Sequence, residues 1–177
     1  MARTHSIKVT SLMMALVTSM TVAACDSDDA GGCEETGGSD NDAALRANIE
    51  LAKRVSQEVV FQGMNADELL APDFVYHPGT SNEDMSREET LGFWAAFPAT
   101  FPDGKLTFYN ETAQGDLVMF QYILEGTYSF DLFGVGESAV GTPIVTKGYV
   151  TRRIESGQVA EEWDMPNLAG LLGQLQG

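Results

Sequence analysis

Apolar positions recur at helical intervals in the first half of the folded region and alternate in the second. Leu45, Ile49, Ala52, Val55 and Val59 follow one another at steps of three or four, a single stripe that predicts an amphipathic helix. Asp40, Asn41 and Asp42 are candidate caps for its start, and Gly63 ends it. A second short helix is expected over Asn65 to Leu70, capped by Asn65, after which Pro72 forces an extended run from Asp73 to Gly79. Ser86 with Glu89 three residues later reads as a capping box. The helix it opens places Leu91, Trp94 and Phe97 near one side before Pro98 and Pro102 break the pattern.

After Gly104 the period falls to two. "KLTFYNETA", "DLVMFQYILEGTYSF", "TPIVTKGYVTRRIE" and "QVAEEWDM" read as strands joined by turns such as Gly115-Asp116 and Ser156-Gly157. In the second of these, Val118, Phe120, Tyr122 and Leu124 share one face, and Leu117, Met119, Gln121 and Ile123 share the other. Both faces are largely apolar: one covers the helices, and the other is a candidate contact for a second copy of the chain. "PNLAGLLGQLQ" closes the chain as a short helix with Pro166 in its first turn. Helices followed by antiparallel strands define an α+β fold, a curved sheet wrapped around the N-terminal helices with a pocket in its mouth.

Composition narrows the function. The formal charge of −16 on 177 residues argues against nucleic-acid binding, because a phosphate backbone would be repelled. With two histidines, His5 and His77, a multi-histidine metal site is excluded, and no metal or cofactor is called for. Residues 1–24 carry a basic start (Arg3, His5, Lys8) and a short apolar run ending Val22-Ala23-Ala24 before Cys25, the layout of an export signal. Residues 25–42 carry seven acidic residues from Asp26 onward and no basic one, which predicts a disordered tether. Removing Arg3 and Lys8 with the signal leaves eight basic against 26 acidic residues, hence −18. The folded domain is expected over residues 43–177.

The tetrad Val22-Ala23-Ala24-Cys25 resembles the lipobox of bacterial lipoproteins. That resemblance implies lipidation of Cys25 and a place in the bacterial cell envelope, anchored to a membrane. Three further stretches, "ADELLAPDFVYHPG", "GDLVMFQYILEGTYSFDLFGVG" and "IESGQVAEEWDMPNLAGLLGQL", together resemble the SnoaL-like polyketide cyclases, or ester cyclases, of the NTF2-like superfamily. The resemblance implies a cone-shaped α+β barrel, often dimeric, with an apolar pocket for a small carbonyl-bearing ligand. In such cyclases an aspartate in the last strand, followed by x-Pro-Asp/Asn, is the acid/base. Asp164-Met165-Pro166-Asn167 matches that pattern, making Asp164 the candidate catalytic residue for aldol closure or isomerisation. Tyr76, His77, Phe93, Trp94, Phe97, Tyr122, Tyr149, Val150 and Trp163 are the expected pocket residues.

The residues alone leave two readings of Asp164 open, since an aspartate before a helix also serves as an N-cap. As an acid/base it should titrate above the ordinary aspartate value, with Trp163 excluding water and Glu162 adding a like charge on the same strand face. The polar partner that active relatives can carry fourteen positions earlier is replaced by Val150, with His77 a polar group from another wall. A non-catalytic ligand-binding lipoprotein is therefore the alternative. "GVGESAVG" lacks the spacing and following helix of a phosphate loop, and no Ser-His-Asp set can be assembled around His77.

Overall fold

The computed structural model describes residues 38–177, so the expected signal segment, Cys25 and the tether as far as residue 37 lie outside the described residues. The first helix, α1 (Gly38–Arg54), starts inside the expected tether, with Asp40 in its first turn rather than at a cap. An acidic side chain there complements the partial positive charge of the helix start. The helix continues as a widened π-type turn, Val55–Val60, in which the Phe61 N–H donates to Ser56 O at 3.3 Å. Ala52, Val55 and Val59 form the buried part of the predicted stripe.

A short helix α2 (Ala66–Leu69) follows. Asn65 stands at its cap position at φ 59° with no capping bond, its side chain donating instead to Glu58 at 2.7 Å. Strand β1 (Leu70–Pro78) and the two-residue β2 (Met85–Ser86) lead into α3 (Arg87–Trp94). There the Ser86–Glu89 capping box forms, with the Ser86 N–H donating to Glu89 at 2.8 Å. Pro98 does not break the chain from helix: it sits in the first turn of a further short helix, α4 (Phe97–Thr100), where a missing N–H costs nothing.

Four strands complete the sheet: β3 (Lys105–Gln114), β4 (Leu117–Tyr128), β5 (Thr142–Glu155) and β6 (Gln158–Pro166). The six strands run in the order β2-β1-β6-β5-β4-β3. All neighbours are antiparallel except β1 and β6, which pair in parallel, so the sheet is mixed where alternation had suggested an antiparallel one. Strand alternation is clearest in β5, where Ile144, Thr146, Gly148, Val150, Arg152 and Ile154 are buried and the residues between them face outward. Val118, Phe120, Tyr122 and Leu124 of β4 turn to the helices, as their pattern predicts, and Phe120 packs edge-on to Phe108 at 5.1 Å. The opposite sheet face exposes Leu117, Met119, Val145, Tyr149 and Met165.

The final helix, α5 (Leu168–Gln176), packs Leu171 and Leu175 against Phe101, Leu124 and Tyr128. Its cap is Asn167, whose side chain accepts from the Gly170 N–H at 3.1 Å. Pro166 ends β6 and is not in the helix, so Asp164 lies within a strand and caps nothing.

Candidate active site

Between the inner sheet face and the helices lies a cavity of about 110 Å³. Its walls are mostly aromatic and aliphatic, including Phe61, Phe93, Trp94, Phe97, Phe101, Phe133 and Leu171. Its polar lining side chains are Ser56, Tyr76, Tyr122, Thr146, Arg152, Glu162 and Asp164. A few convergent polar groups in an otherwise apolar hollow are the usual composition of a small-molecule site.

Alternation places these groups. Val150 and Arg152 on β5 stand opposite Asp164 and Glu162 on β6, and the register shift between the two strands falls beyond them, at Arg153/Ile154. All four therefore project to the same side. Tyr76 on β1 is level with Glu162, and Tyr122 on β4 is level with Gly148 on β5. A Cβ at position 148 would collide with the phenol of Tyr122, so it is the absence of a side chain there that lets the ring reach across β5.

The two phenols converge on Asp164. Tyr122 donates to Oδ1 at 3.3 Å and Tyr76 to Oδ2 at 3.4 Å. Burial pushes the Asp164 carboxyl up to about 7, and the charge of Glu162 adds to the shift, while Arg152 and the two phenols oppose it. Burial and the neighbouring carboxylates push both phenols far above the ordinary tyrosine value, so they remain hydrogen-bond donors throughout the neutral range. Tyr76 is further held edge-on against Trp94 at 5.7 Å.

Beside this group sits a buried ion pair. Arg152 Nε donates to Glu162 at 2.7 Å, and its Nη1 donates to Ser56 Oγ at 2.9 Å and to the Ala52 carbonyl. The guanidinium lies over the Phe120 ring at 5.6 Å. These bonds tie β5 and β6 to the end of α1, at Ala52, and to the widened turn that follows it, at Ser56.

Of the nine expected pocket residues, Tyr76, Phe93, Trp94, Phe97, Tyr122 and Val150 line the cavity, together with Asp164. His77, Tyr149 and Trp163 do not. Each is the immediate strand neighbour of a lining residue, and successive side chains on a strand point to opposite faces. Tyr149 is 51% exposed on the outer face. His77 stacks on Trp163 at 4.8 Å and pairs through Nδ1 with Asp84 at 2.7 Å, so it supplies no polar group to the cavity, and Trp163 is not what dries Asp164. Arg152 was missed as a site residue, although its alternation with Val150 signals it. Phe61, Phe101 and Phe133 reach the cavity from helix ends and a loop, where no periodicity marks them.

An α+β domain whose curved sheet and helices enclose an apolar hollow, with the carboxylate of Asp164 hydrogen-bonded by two phenols, has the ketosteroid isomerase-like fold. The chain belongs to the SnoaL-like polyketide cyclase family of the NTF2-like superfamily, whose family model matches residues 52–175. Among solved structures it is similar to a protein of a Jannaschia species assigned as a SnoaL-like polyketide cyclase, with 24% identity, a TM-score of 0.67, and coverage of 75% of this chain and 94% of that one. It is also similar to IdmH of Streptomyces antibioticus, assigned as a polyketide cyclase: 28% identity, TM-score 0.61, coverage 73% and 99%. A Catenulispora acidiphila protein of ketosteroid isomerase-like fold matches at 20% identity and TM-score 0.55 over 71% of this chain and 91% of that one. No curated protein matches the chain in sequence.

Proposed function

We propose that the domain binds a small apolar molecule carrying carbonyl groups and performs acid/base chemistry on it through Asp164. The observation that carries this reading is the position of Asp164, in an apolar cavity, with one phenol donating to each carboxylate oxygen and a titration point near 7. A base poised near the working pH is best suited to remove a proton from carbon flanked by carbonyls. The carboxylate takes that proton, and the electron pair moves onto the carbonyl oxygen as an enolate. Once Asp164 is neutral its hold on the Tyr76 and Tyr122 hydroxyls weakens, and either can donate to the enolate oxygen. Attack of the enolate carbon on a second carbonyl then leaves an alkoxide, which the Asp164 acid protonates. Returning the proton to a different carbon instead gives isomerisation. The two phenols offer the hydrogen bonds that Val150 cannot.

The test is deuterium exchange into acetylacetone, small enough for the cavity. The wild type is expected to accelerate exchange, with the rate rising up to about pH 7 and then levelling, and Asp164→Asn is expected to lower it by about 10²–10⁴. Equal exchange in both proteins would reject the catalytic role. Binding without exchange in either would favour a non-catalytic ligand-binding lipoprotein, the reading supported by an apolar Val150 opposite Asp164.

The same proposal places the domain in a bacterial cell envelope, tethered to a membrane by lipid on Cys25, on the strength of the Val22-Ala23-Ala24-Cys25 tetrad. The full chain should partition into detergent, and Cys25→Ser should release it or block its processing. A homodimer would cover the exposed sheet face around Met119 and Tyr149, and Met119→Lys should then shift the sedimentation of the protein to that of a monomer.

A further inference from the structure

The polar groups of the cavity carry an unbalanced charge, and its sign restricts what can enter. Four strands aim titratable side chains at Asp164: Tyr76 from β1, Tyr122 from β4, Arg152 from β5, and Glu162 beside it on β6. Among the residues lining the cavity, Arg152 is the one cation. Its charge is already matched by Glu162 at 2.7 Å, and three of its N–H groups are used on Glu162, Ser56 and Ala52. Nothing positive then remains to balance an ionised Asp164. A carboxylate brought into this space would lose its water and meet the unbalanced like charge of Asp164. An ammonium would meet the reverse, in a cavity whose lining includes the aromatic side chains Tyr76, Tyr122 and Trp94. Size adds a second restriction. The cavity, about 110 Å³, is smaller than the engineered one of ~150 Å³ that takes up benzene, so it holds no more than one ring, with any head group at the polar end or the mouth.

We propose that the site selects its ligands by charge, admitting single-ring molecules with a neutral or cationic amine head and rejecting the matching carboxylates, and that Glu162 sets this rule by holding Arg152. The inference rests on reading the cavity as a ligand site and not on the chemistry assigned to Asp164.

Benzylamine, benzyl alcohol and benzoate share a ring and differ in charge, and their binding to the full chain can be compared by titration calorimetry. At pH 8 the amine is expected to bind most tightly and benzoate at least tenfold more weakly than the alcohol. The advantage of the amine over the alcohol should shrink roughly tenfold by pH 6, as Asp164, titrating at about 7, takes up its proton. Glu162→Gln should raise benzoate affinity at least tenfold, by leaving the charge of Arg152 unmatched. Should that variant fail to fold, the wild-type order and its pH dependence decide the matter. Benzoate binding as tightly as benzyl alcohol would overturn the proposal, and so would failure of all three to bind. Charge selection without Asp164-dependent exchange would retain this inference and reject the catalytic reading. Exchange with the charge order reversed would do the opposite.

Discussion

Val150 stands directly across the β5–β6 ladder from Asp164, so the cross-strand neighbour of the carboxylate is a pair of methyl groups. That contact contributes burial and no hydrogen bond, consistent with burial being the largest cause of the raised Asp164 titration. Val150→Thr is nearly isosteric and places a hydroxyl there. It is expected to lower the Asp164 titration point from about 7, whereas Tyr122→Phe, which removes a donor, should raise it. Carbon-detected NMR of the aspartate carboxyls over pH 4–9 would read both shifts. A Val150→Thr titration unchanged or raised would contradict the account of burial.

Gly148 is the space into which the Tyr122 phenol fits. Gly148→Ala should expel the ring from its bond with Asp164 and lower exchange activity about as much as Tyr122→Phe does, with no further loss in the double variant. Additive losses would show that the two residues act separately.

Asp164 also makes stability depend on pH. The folded protein holds its proton up to about pH 7, while the unfolded chain releases it near 3.9. Folding therefore takes up a proton in this window, and stability falls as the pH rises through it, with the full cost present above about 7. Asp164→Asn is expected to stabilise the protein by about 2–4 kcal/mol at pH 8 and by almost nothing at pH 4, as measured by urea unfolding. A loss of stability at pH 8 would contradict the raised titration.

The Arg152–Glu162 pair is buried on both sides, at 1% and 3% exposure. Glu162→Gln leaves the guanidinium uncompensated and should cost about 3–5 kcal/mol, while the double change Arg152→Met, Glu162→Leu should cost markedly less. Equal costs would indicate that the pair stabilises the fold instead of organising the site.

How much could be read beforehand differed between elements for identifiable reasons. The four long strands and the Ser86–Glu89 capping box were legible because alternation and caps are local. Asp164 could be located from its Pro166-Asn167 context, but its side of the sheet could not be fixed without knowing where β5 and β6 lose register. Strict alternation does separate Val150 from Tyr149 and Asp164 from Trp163, and the errors at Tyr149, Trp163 and His77 came from grouping neighbours. The parallel pairing of β1 with β6 was invisible, being a contact between segments 88 residues apart, as in the Tyr76–Asp164 bond. Gly148 gave no signal either, because what matters there is an absence.

Because Asn167 secures the start of α5, the Asp164 side chain is not needed as its cap. The helix cap and the phenol-bonded carboxylate thus occupy separate positions along this short run. A lineage could exchange the carboxylate without losing the cap of α5. If Asp164 is the acid/base proposed above, cyclases and binders would be one mutation apart on this frame, and position 164 is where the two would part.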